Sequence, residues 1–288
     1  MTIDILISGA TGNVGSELVR VLQRRGARFR AMVRGADAAA VRERLAGAEL
    51  VVADLDDPDS LARALEGVDR AFLLTPSSAR AEAQQCAFVD AARRQGVRKL
   101  VKLSQYAADT SSPVRFLRYH AVVEQAIRAS GIAFTILRPN LFMQGLLAFR
   151  ATIAARGAFY AAAGDAAISA IDVRDIAEVA ATALLEPGHD DVTYELTGPA
   201  ALTHAEMAAQ LAEALGRPVA FVDVPPAAMR EQLLHAGVPA WQADGLLEDY
   251  AHYRRGEAAA VASGVENVIG RAPRAFVDFA RDYAAAFT

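Results

Sequence analysis

Short apolar runs alternate with amphipathic stretches through the first half of the chain. The apolar runs cover residues 3–8, 29–33, 50–53, 70–74, 99–103 and 133–137. Between them, apolar side chains recur at helical spacing over residues 13–25, 38–46, 57–65, 79–95 and 113–130. Continuous apolar runs are typical of strands buried on both faces. The alternation predicts βαβ units and an α/β fold, a doubly wound parallel sheet of the Rossmann type.

The pattern changes after Pro139. Short strands are predicted over 159–162 and 168–171 about a turn at Gly164 and Asp165, followed by a helix over 172–185. A strand over 193–196 is expected to return to the main sheet, and beyond Pro218 the chain is mainly helical. We therefore expect a cofactor-binding Rossmann domain over residues 1–155. A smaller, mostly helical substrate domain would cover 156–288, with segments near 168–198 returning to the Rossmann sheet.

Composition excludes several classes of protein. The net charge of −4 shows no basic excess, so nucleic acid is not an expected partner. No uncharged apolar stretch reaches about 18 residues, which predicts no membrane span, and the first residues do not resemble a signal peptide. The single cysteine cannot form an internal disulfide, and the five histidines are scattered, so no metal site is expected. We predict a cytoplasmic protein.

Three glycines stand in the sequence GATGNVG, directly after the first strand and at the start of the first helix. The first allows a tight turn, the second lets backbone approach a pyrophosphate, and the third lets helix and strand pack closely. The helix N-terminus then offers N–H groups and a positive dipole end to the phosphates. This predicts a dinucleotide site. Its binding residues would be Gly9, Thr11, Gly12, Asn13, Val14 and Gly15.

The ends of the next strands indicate which dinucleotide binds. Arg34 follows the second strand, where sites that prefer NAD usually carry an acidic residue. A guanidinium there suits a 2′-phosphate, which favours NADPH over NADH, although a solvated surface arginine would explain it too. Asp54 and Leu55 end the third strand, where adenine would lie, but Asp54 could equally cap a turn. The end of strand four lies beside the glycine loop and contributes Leu74, Thr75 and Pro76.

Several of these features occur together in one known group. The GATGNVG loop, Arg34, Asp54, Ser104, the pair His120 and Glu124, and the segment RPNLFM at 138–143 resemble the NmrA-like atypical short-chain dehydrogenases/reductases. The sequence is most similar to their bacterial NAD(P)H:quinone oxidoreductase and triphenylmethane reductase branch. This resemblance extends over essentially the whole chain, and it implies an NADPH-dependent oxidoreductase with a Rossmann-like fold.

The usual catalytic pair of short-chain dehydrogenases is absent. Those enzymes use a Tyr-x-x-x-Lys pair on the helix after strand five, but Lys99 and Lys102 are the only lysines and both lie in or beside that strand. Without this pair, the chain lacks the tyrosine that usually protonates the oxygen of a ketone substrate. Quinones, iminium ions and conjugated dyes spread the incoming charge over a large π-system and demand less acid assistance. The lysine placement therefore favours conjugated aromatic acceptors.

The resemblance also implies candidate site residues. His120 and Glu124 are four apart on a helix, so Glu124 could orient the imidazole and raise its pKa. His120 would then donate a proton or only shape the pocket, and a structural ion pair is an open alternative. Ser104 would hold a substrate oxygen. The remaining candidates are Tyr106 as a second polar group, Pro139 and Asn140 beside the nicotinamide, and Phe142 and Met143 in the substrate pocket.

Two classes of function remain open. The first is an NADPH-dependent oxidoreductase that transfers hydride to a quinone or another conjugated aromatic or iminium acceptor, working as a monomer or a homodimer. The second is a non-catalytic NADP(H)-binding regulator of the NmrA type, which would act through a protein partner. An intact phosphate loop without the tyrosine–lysine pair is compatible with both. A biosynthetic iminium or enone reductase is a third interpretation.

Overall fold

The computed structural model describes residues 5–35, 41, 45 and 47–288. Within them, seven parallel strands form one sheet in the order β3-β2-β1-β4-β5-β6-β8. The order reverses between β1 and β4, which makes the sheet doubly wound. These strands are β1 Ile5–Ile7, β2 Phe29–Val33, β3 Glu49–Val52, β4 Arg70–Leu73, β5 Lys99–Leu103, β6 Ala133–Pro139 and β8 Val192–Leu196. The Rossmann-like α/β fold expected from the sequence is confirmed.

Helices cover both faces of this sheet. The described α-helices are α1 Asn13–Arg24, α2 Pro58–Leu65, α3 Ala81–Arg94, α4 Arg115–Ala129, α5 Arg150–Arg156, α6 Val173–Leu185, α7 His204–Leu215, α8 Pro226–His235, α9 Ala240–Arg254, α10 Gly264–Ile269 and α11 Phe276–Asp282. One apolar cluster joins the sheet to α1, α6 and α10. A second joins the other face to α2, α3 and α4. β5 is buried along its whole length, as a strand covered on both faces must be.

Local capping signals explain several helix starts. The Asp57 carboxylate accepts hydrogen bonds from the first turn of α2, and Pro58 occupies its first position. Thr203 and Glu206 form the reciprocal capping box of α7. The helix predicted over 38–46 lies largely outside the described residues, as does the start of the first predicted strand.

Of the two short strands expected about the turn at Gly164 and Asp165, the first is confirmed within one residue and the second is wrong. Strand β7, Ala158–Ala161, pairs in parallel with β9, Ala220–Asp223, whereas Ile168 and Ile171 make only isolated bridges to Leu202 and Phe142. The reason is packing between distant segments. Phe159 of β7 contacts Phe221 of β9, and both belong to an apolar cluster, separate from those of the main sheet, that includes residues of α7 and α11. The strand expected at 193–196 does join the main sheet, beside β6.

The described residues contain no helix that is both long and apolar enough to cross a membrane. Nor do they contain a group of three or more histidine, cysteine, aspartate or glutamate side chains placed to hold a metal ion. The ends of β4, β5 and β6 instead open onto a cavity that α9 covers, and this is where the candidate site lies.

Candidate active site

The glycine loop leaves room for phosphate groups at the start of α1. Gly9 has φ +66°, and a Cβ on Gly15 would lie 2.1 Å from the carbonyl oxygen of Gly9, so only glycine lets the helix start this close to the strand. Gly12 is the N-cap residue, and no side chain caps this end. Its first N–H groups therefore remain for an anion. This cradle fits the pyrophosphate of a dinucleotide.

The residues expected at the adenosine end lie at the carboxyl ends of β2 and β3. Arg34 is exposed directly after β2. Asp54 accepts a hydrogen bond from the backbone N–H of Asp56, so it does cap a turn. Its neighbour Leu55 is half-buried against the core. This cap does not exclude a hydrogen bond from Asp54 to adenine, because the cap uses only one of the two carboxylate oxygens.

A cavity of about 300 Å³ lies beside the glycine loop. Its floor comes from the ends of β4, β5 and β6, and its cover from one face of α9. Most of the lining is apolar, which suits a planar aromatic molecule. The sequence-predicted residues it gathers are Leu74, Thr75, Ser104, Tyr106, His120, Pro139, Asn140 and Phe142. Pro76 is exposed at its edge, and Met143 lies elsewhere.

Glu124 does not pair with His120. Its carboxylate accepts two hydrogen bonds from Arg138, at 2.9 and 2.7 Å, and one from the Ser104 hydroxyl at 2.5 Å. This bidentate ion pair joins α4 to β6 beneath the cavity. The hydroxyl hydrogen of Ser104 is committed to Glu124, so in this arrangement Ser104 can accept, but not donate, a hydrogen bond from a ligand.

The partner of His120 is Lys102. The lysine Nζ lies 2.9 Å from Nδ1 of His120 and also donates to the Leu103 carbonyl. Burial, together with the charge of Lys102, holds the pKa of His120 well below its ordinary value. The expectation that Glu124 raises this pKa is therefore wrong. Burial likewise lowers the pKa of Lys102 to about 7, against a smaller opposing effect of Glu124.

This contact defines what the imidazole can offer. Below about pH 7 the Lys102 amine is protonated and can only donate, so Nδ1 of His120 accepts and the ring hydrogen stands on Nε2. Because Nδ1 faces Lys102, the Nε2 edge is the one left for the cavity that His120 lines. Tyr119 stacks on the imidazole, with 4.2 Å between ring centroids, and holds its plane. His120 is therefore a fixed, neutral hydrogen-bond donor.

Two further segments shape the cavity. Tyr106 is half-buried, burial raises the pKa of its phenol, and the next residue, Ala107, has the strained φ of +58°. The Asn140 side chain donates to Ser169 and to the Ala258 carbonyl, so it ties the end of β6 to the C-terminal part of the chain. A cofactor contact of that amide would compete with these bonds.

Phe142 and Met143 separate in the structure. Phe142 lies between the main cavity and a second one of about 240 Å³ that adjoins it. Met143 is buried in the cluster around Phe159 and lines that second cavity and a separate one of about 340 Å³, but not the main cavity. Leu146 and Leu147 pack in the same cluster.

Three polar residues that bear on the chemistry of the site, Lys102, Gln105 and Asp249, were not among its sequence-predicted residues. Asp249 is 6% exposed, and both of its carboxylate oxygens lie 3.1 Å from the Gln105 amide nitrogen. The helical spacing of residues in α9 could have indicated Asp249 as a site residue. Its cavity-lining residues recur at helical spacing and share one face, as Gln242, Leu246, Asp249 and Tyr253.

Together, the fold and the site define a dinucleotide-binding Rossmann protein with a partly open, largely apolar cavity at the carboxyl ends of β4, β5 and β6. Residues 1–277 match the model of the NmrA-like family, and the chain belongs to that family. NAD(P)H azoreductase of Xenophilus azovorans is 40% identical over 284 residues, covering 98% of this chain and 99% of that protein.

Two further relatives cover nearly the whole chain. A (4-alkanoyl-5-oxo-2,5-dihydrofuran-3-yl)methyl phosphate reductase of Streptomyces griseus is 37% identical over 293 residues, with 98% of this chain and 99% of that protein covered. A crystal structure of an NADPH-dependent quinone oxidoreductase from Escherichia coli, in complex with NADPH, aligns with a TM-score of 0.86 and 28% identity. It covers 96% of this chain and 99% of that one.

Proposed function

We propose that this protein is an NADPH-dependent oxidoreductase that reduces a quinone, an azo compound or another conjugated aromatic acceptor. One observation carries the proposal. The ends of β4, β5 and β6 open onto a largely apolar cavity of about 300 Å³, and its lining residue Leu74 packs against Gly9 of the phosphate cradle. An aromatic acceptor in that cavity would lie against the inner end of an extended dinucleotide. The family relatives named above, which are reductases, support the same conclusion.

The residues present fit NADPH. The backbone of Gly9, Gly12 and Gly15 would hold the pyrophosphate, and Arg34 would pair with the 2′-phosphate. Leu74 and Thr75 would border the nicotinamide half, where the cavity begins. When bound, NADPH supplies a hydride to the acceptor.

The residues of the chain position the acceptor and exclude water. Nε2–H of His120 would donate a hydrogen bond to an oxygen or nitrogen of the acceptor, where negative charge develops during reduction. Tyr253 of α9 and Phe142, which follows β6, would pack against the ring. The Arg138–Glu124 pair keeps Ser104 and the end of β5 in place beneath it. Proximity and orientation would account for most of the rate enhancement.

The sensor alternative is not favoured. A largely apolar cavity near the cofactor loop is what a reductase needs, whereas a sensor needs only the loop. Under the catalytic proposal the partner is a small aromatic molecule, and no nucleic acid or membrane takes part. We further propose a cytoplasmic enzyme, with which the free thiol of Cys86 is compatible. A homodimer is a prediction that size-exclusion chromatography with light scattering would check.

Oxidation of NADPH at 340 nm with a panel of quinones, azo dyes and simple ketones tests the proposal. We expect turnover with the conjugated acceptors and little with the ketones. Arg34→Glu should lower the ratio of kcat/KM for NADPH to that for NADH by about ten- to a hundredfold, since it removes a charged hydrogen bond to the phosphate. Binding of NADPH without turnover of any acceptor would refute the catalytic proposal.

A further inference from the structure

Reduction of a neutral acceptor needs a proton as well as a hydride, and the residues expected to supply it do not. His120 is neutral, because Lys102 and burial keep its pKa low. The hydroxyl hydrogen of Ser104 is engaged by Glu124. The pKa of Tyr106 is raised, so its phenol is a weaker acid than a free one. The cavity needs another acid.

Asp249 has the right position and surroundings. It projects from the inward face of α9 into the wall shared by the main cavity and the adjoining one. The amide of Gln105 lies 3.1 Å from both carboxylate oxygens and fixes the orientation of the group. The structure gives Asp249 no ion pair with any described arginine, lysine or histidine. A buried carboxyl group without a cation favours its protonated form, and burial raises the pKa of Asp249 to about 7.

The neighbouring titratable groups do not offset this effect. Glu248 on the same helix raises the pKa of Asp249 further, and it is itself paired with Arg115 of α4. The other titratable groups near the carboxyl or along the same cavity are Tyr250, Tyr253 and His252 on α9, Tyr119 and His120 on α4, and Tyr106 after β5. None of these is a cation at neutral pH, because the pKa values of both histidines are lowered.

We propose that Asp249 is the proton donor of the reduction, an inference that rests on the proposed function. The hydride from the dihydronicotinamide brings two electrons to the acceptor and leaves an anionic oxygen or nitrogen. The Asp249 O–H bond then breaks and a new O–H or N–H bond forms on that atom. The Asp249 carboxylate afterwards takes a proton from water, which restores the acid. Gln105 is a positioning residue that aims the carboxyl group at the acceptor.

Asp249→Asn tests the proposal, because it keeps the size and the hydrogen bond to Gln105 but removes the acid. At pH 6.5 we expect kcat with an azo or quinone acceptor to fall about 100-fold, at the lower end of the usual range for a general acid. In the wild type, kcat should decline as the pH rises above about 7, and the variant should lack this decline. The matched control is Asp244→Asn, since Asp244 stands on the same helix but pairs with Arg230 at the surface.

A second acceptor separates proton donation from a structural role. A cationic triphenylmethane dye becomes neutral when it receives a hydride alone, so its reduction needs no proton. Loss of activity in Asp249→Asn should therefore be large for the neutral acceptors and small for the cationic dye. An equal loss for both would overturn the proposal.

Infrared difference spectra of the wild type against Asp249→Asn provide a measurement that needs no turnover. A protonated carboxyl band at pH 6 that disappears between pH 6 and 8 supports the proposal, and a carboxylate already ionised at pH 6 overturns it. If the variant does not fold, a wild-type kcat that is constant from pH 6 to 9 overturns it as well. A wild type that binds NADPH but reduces no acceptor refutes the proposed function, whereas active wild type with an equally active Asp249→Asn refutes this inference alone.

Discussion

Substitution of Lys102 by methionine should leave the protein at least as resistant to unfolding near neutral pH and should make it less active. Lys102 is fully buried, and its amine contacts only the Leu103 carbonyl and His120 among its hydrogen-bond partners in the described residues. Methionine has a similar length and fills the same space without a charge. The variant therefore tests whether a buried amine is retained here at a cost in stability.

The magnitude follows from the two pKa values of Lys102. Burial lowers the pKa from 10.5 in the unfolded chain to about 7 in the folded protein. A difference of about 3.5 corresponds to about 5 kcal/mol. The folded-state value is the lower one, so between about pH 7 and 10.5 the unfolded chain binds more protons, and stability rises with pH over that window. Below about pH 7 the full penalty of about 5 kcal/mol applies.

Loss of the amine also leaves two acceptors without their donor. Each unsatisfied buried group costs about 1–3 kcal/mol, which offsets part of the gain. We therefore expect Lys102→Met to be equal to the wild type or up to about 3 kcal/mol more stable at pH 7. The clearer result is the pH dependence, because the rise in stability between pH 7 and 10 should be largely absent from the variant.

Urea unfolding at several pH values between 6.5 and 10 measures both quantities. Lys99→Met is the matched control on the same strand, since Lys99 forms an ion pair with Asp190 and its loss should not raise stability. Activity of Lys102→Met should fall, because nothing then holds the His120 ring hydrogen on Nε2. Identical pH dependence in the wild type and Lys102→Met would refute the assigned burial and pKa of this amine.

Two further variants address the scaffold of the site. Gly15→Ala places a Cβ 2.1 Å from the Gly9 carbonyl oxygen, so NADPH affinity measured by fluorescence should fall by at least about tenfold, while circular dichroism stays near that of the wild type; unchanged affinity would contradict the close approach of helix and strand. Glu124→Gln leaves Arg138 without its carboxylate and weakens the contact of Ser104, and thermal unfolding should show a loss of about 1–3 kcal/mol. A neutral effect would show that this pair is not a stabilising link between α4 and β6.

The predictions that succeeded from sequence depend on local patterns. The main-sheet strands recognised from apolar runs recur in the structure within a residue or two, apart from the first, whose start lies outside the described residues. The Asp57 cap and the Thr203–Glu206 capping box appear as expected, because each needs only residues three positions or fewer apart. The glycine loop is likewise a local device, in which conformational freedom and close packing are required at fixed spacing.

The predictions that failed needed contacts between distant segments. The helical spacing of His120 and Glu124 placed them on one helix and suggested that they pair. In the structure each instead contacts a residue of a neighbouring strand. Lys102 of β5 reached His120, and Arg138 of β6 reached Glu124. The same limitation explains the strand wrongly expected at 168–171, because β7 pairs with the distant strand β9 instead.

The sequence by itself determined the sheet, the phosphate loop and the absence of the tyrosine–lysine pair, because periodicity, glycine spacing and lysine count are properties of short segments. Only the tertiary structure decided the chemistry of the cavity. In the folded chain Lys102 of β5 contacts His120, and Asp249 contacts Gln105, which is 144 residues away in the sequence. The physical reason is that burial and neighbouring charges set the protonation of a side chain, and both depend on which distant elements pack against it.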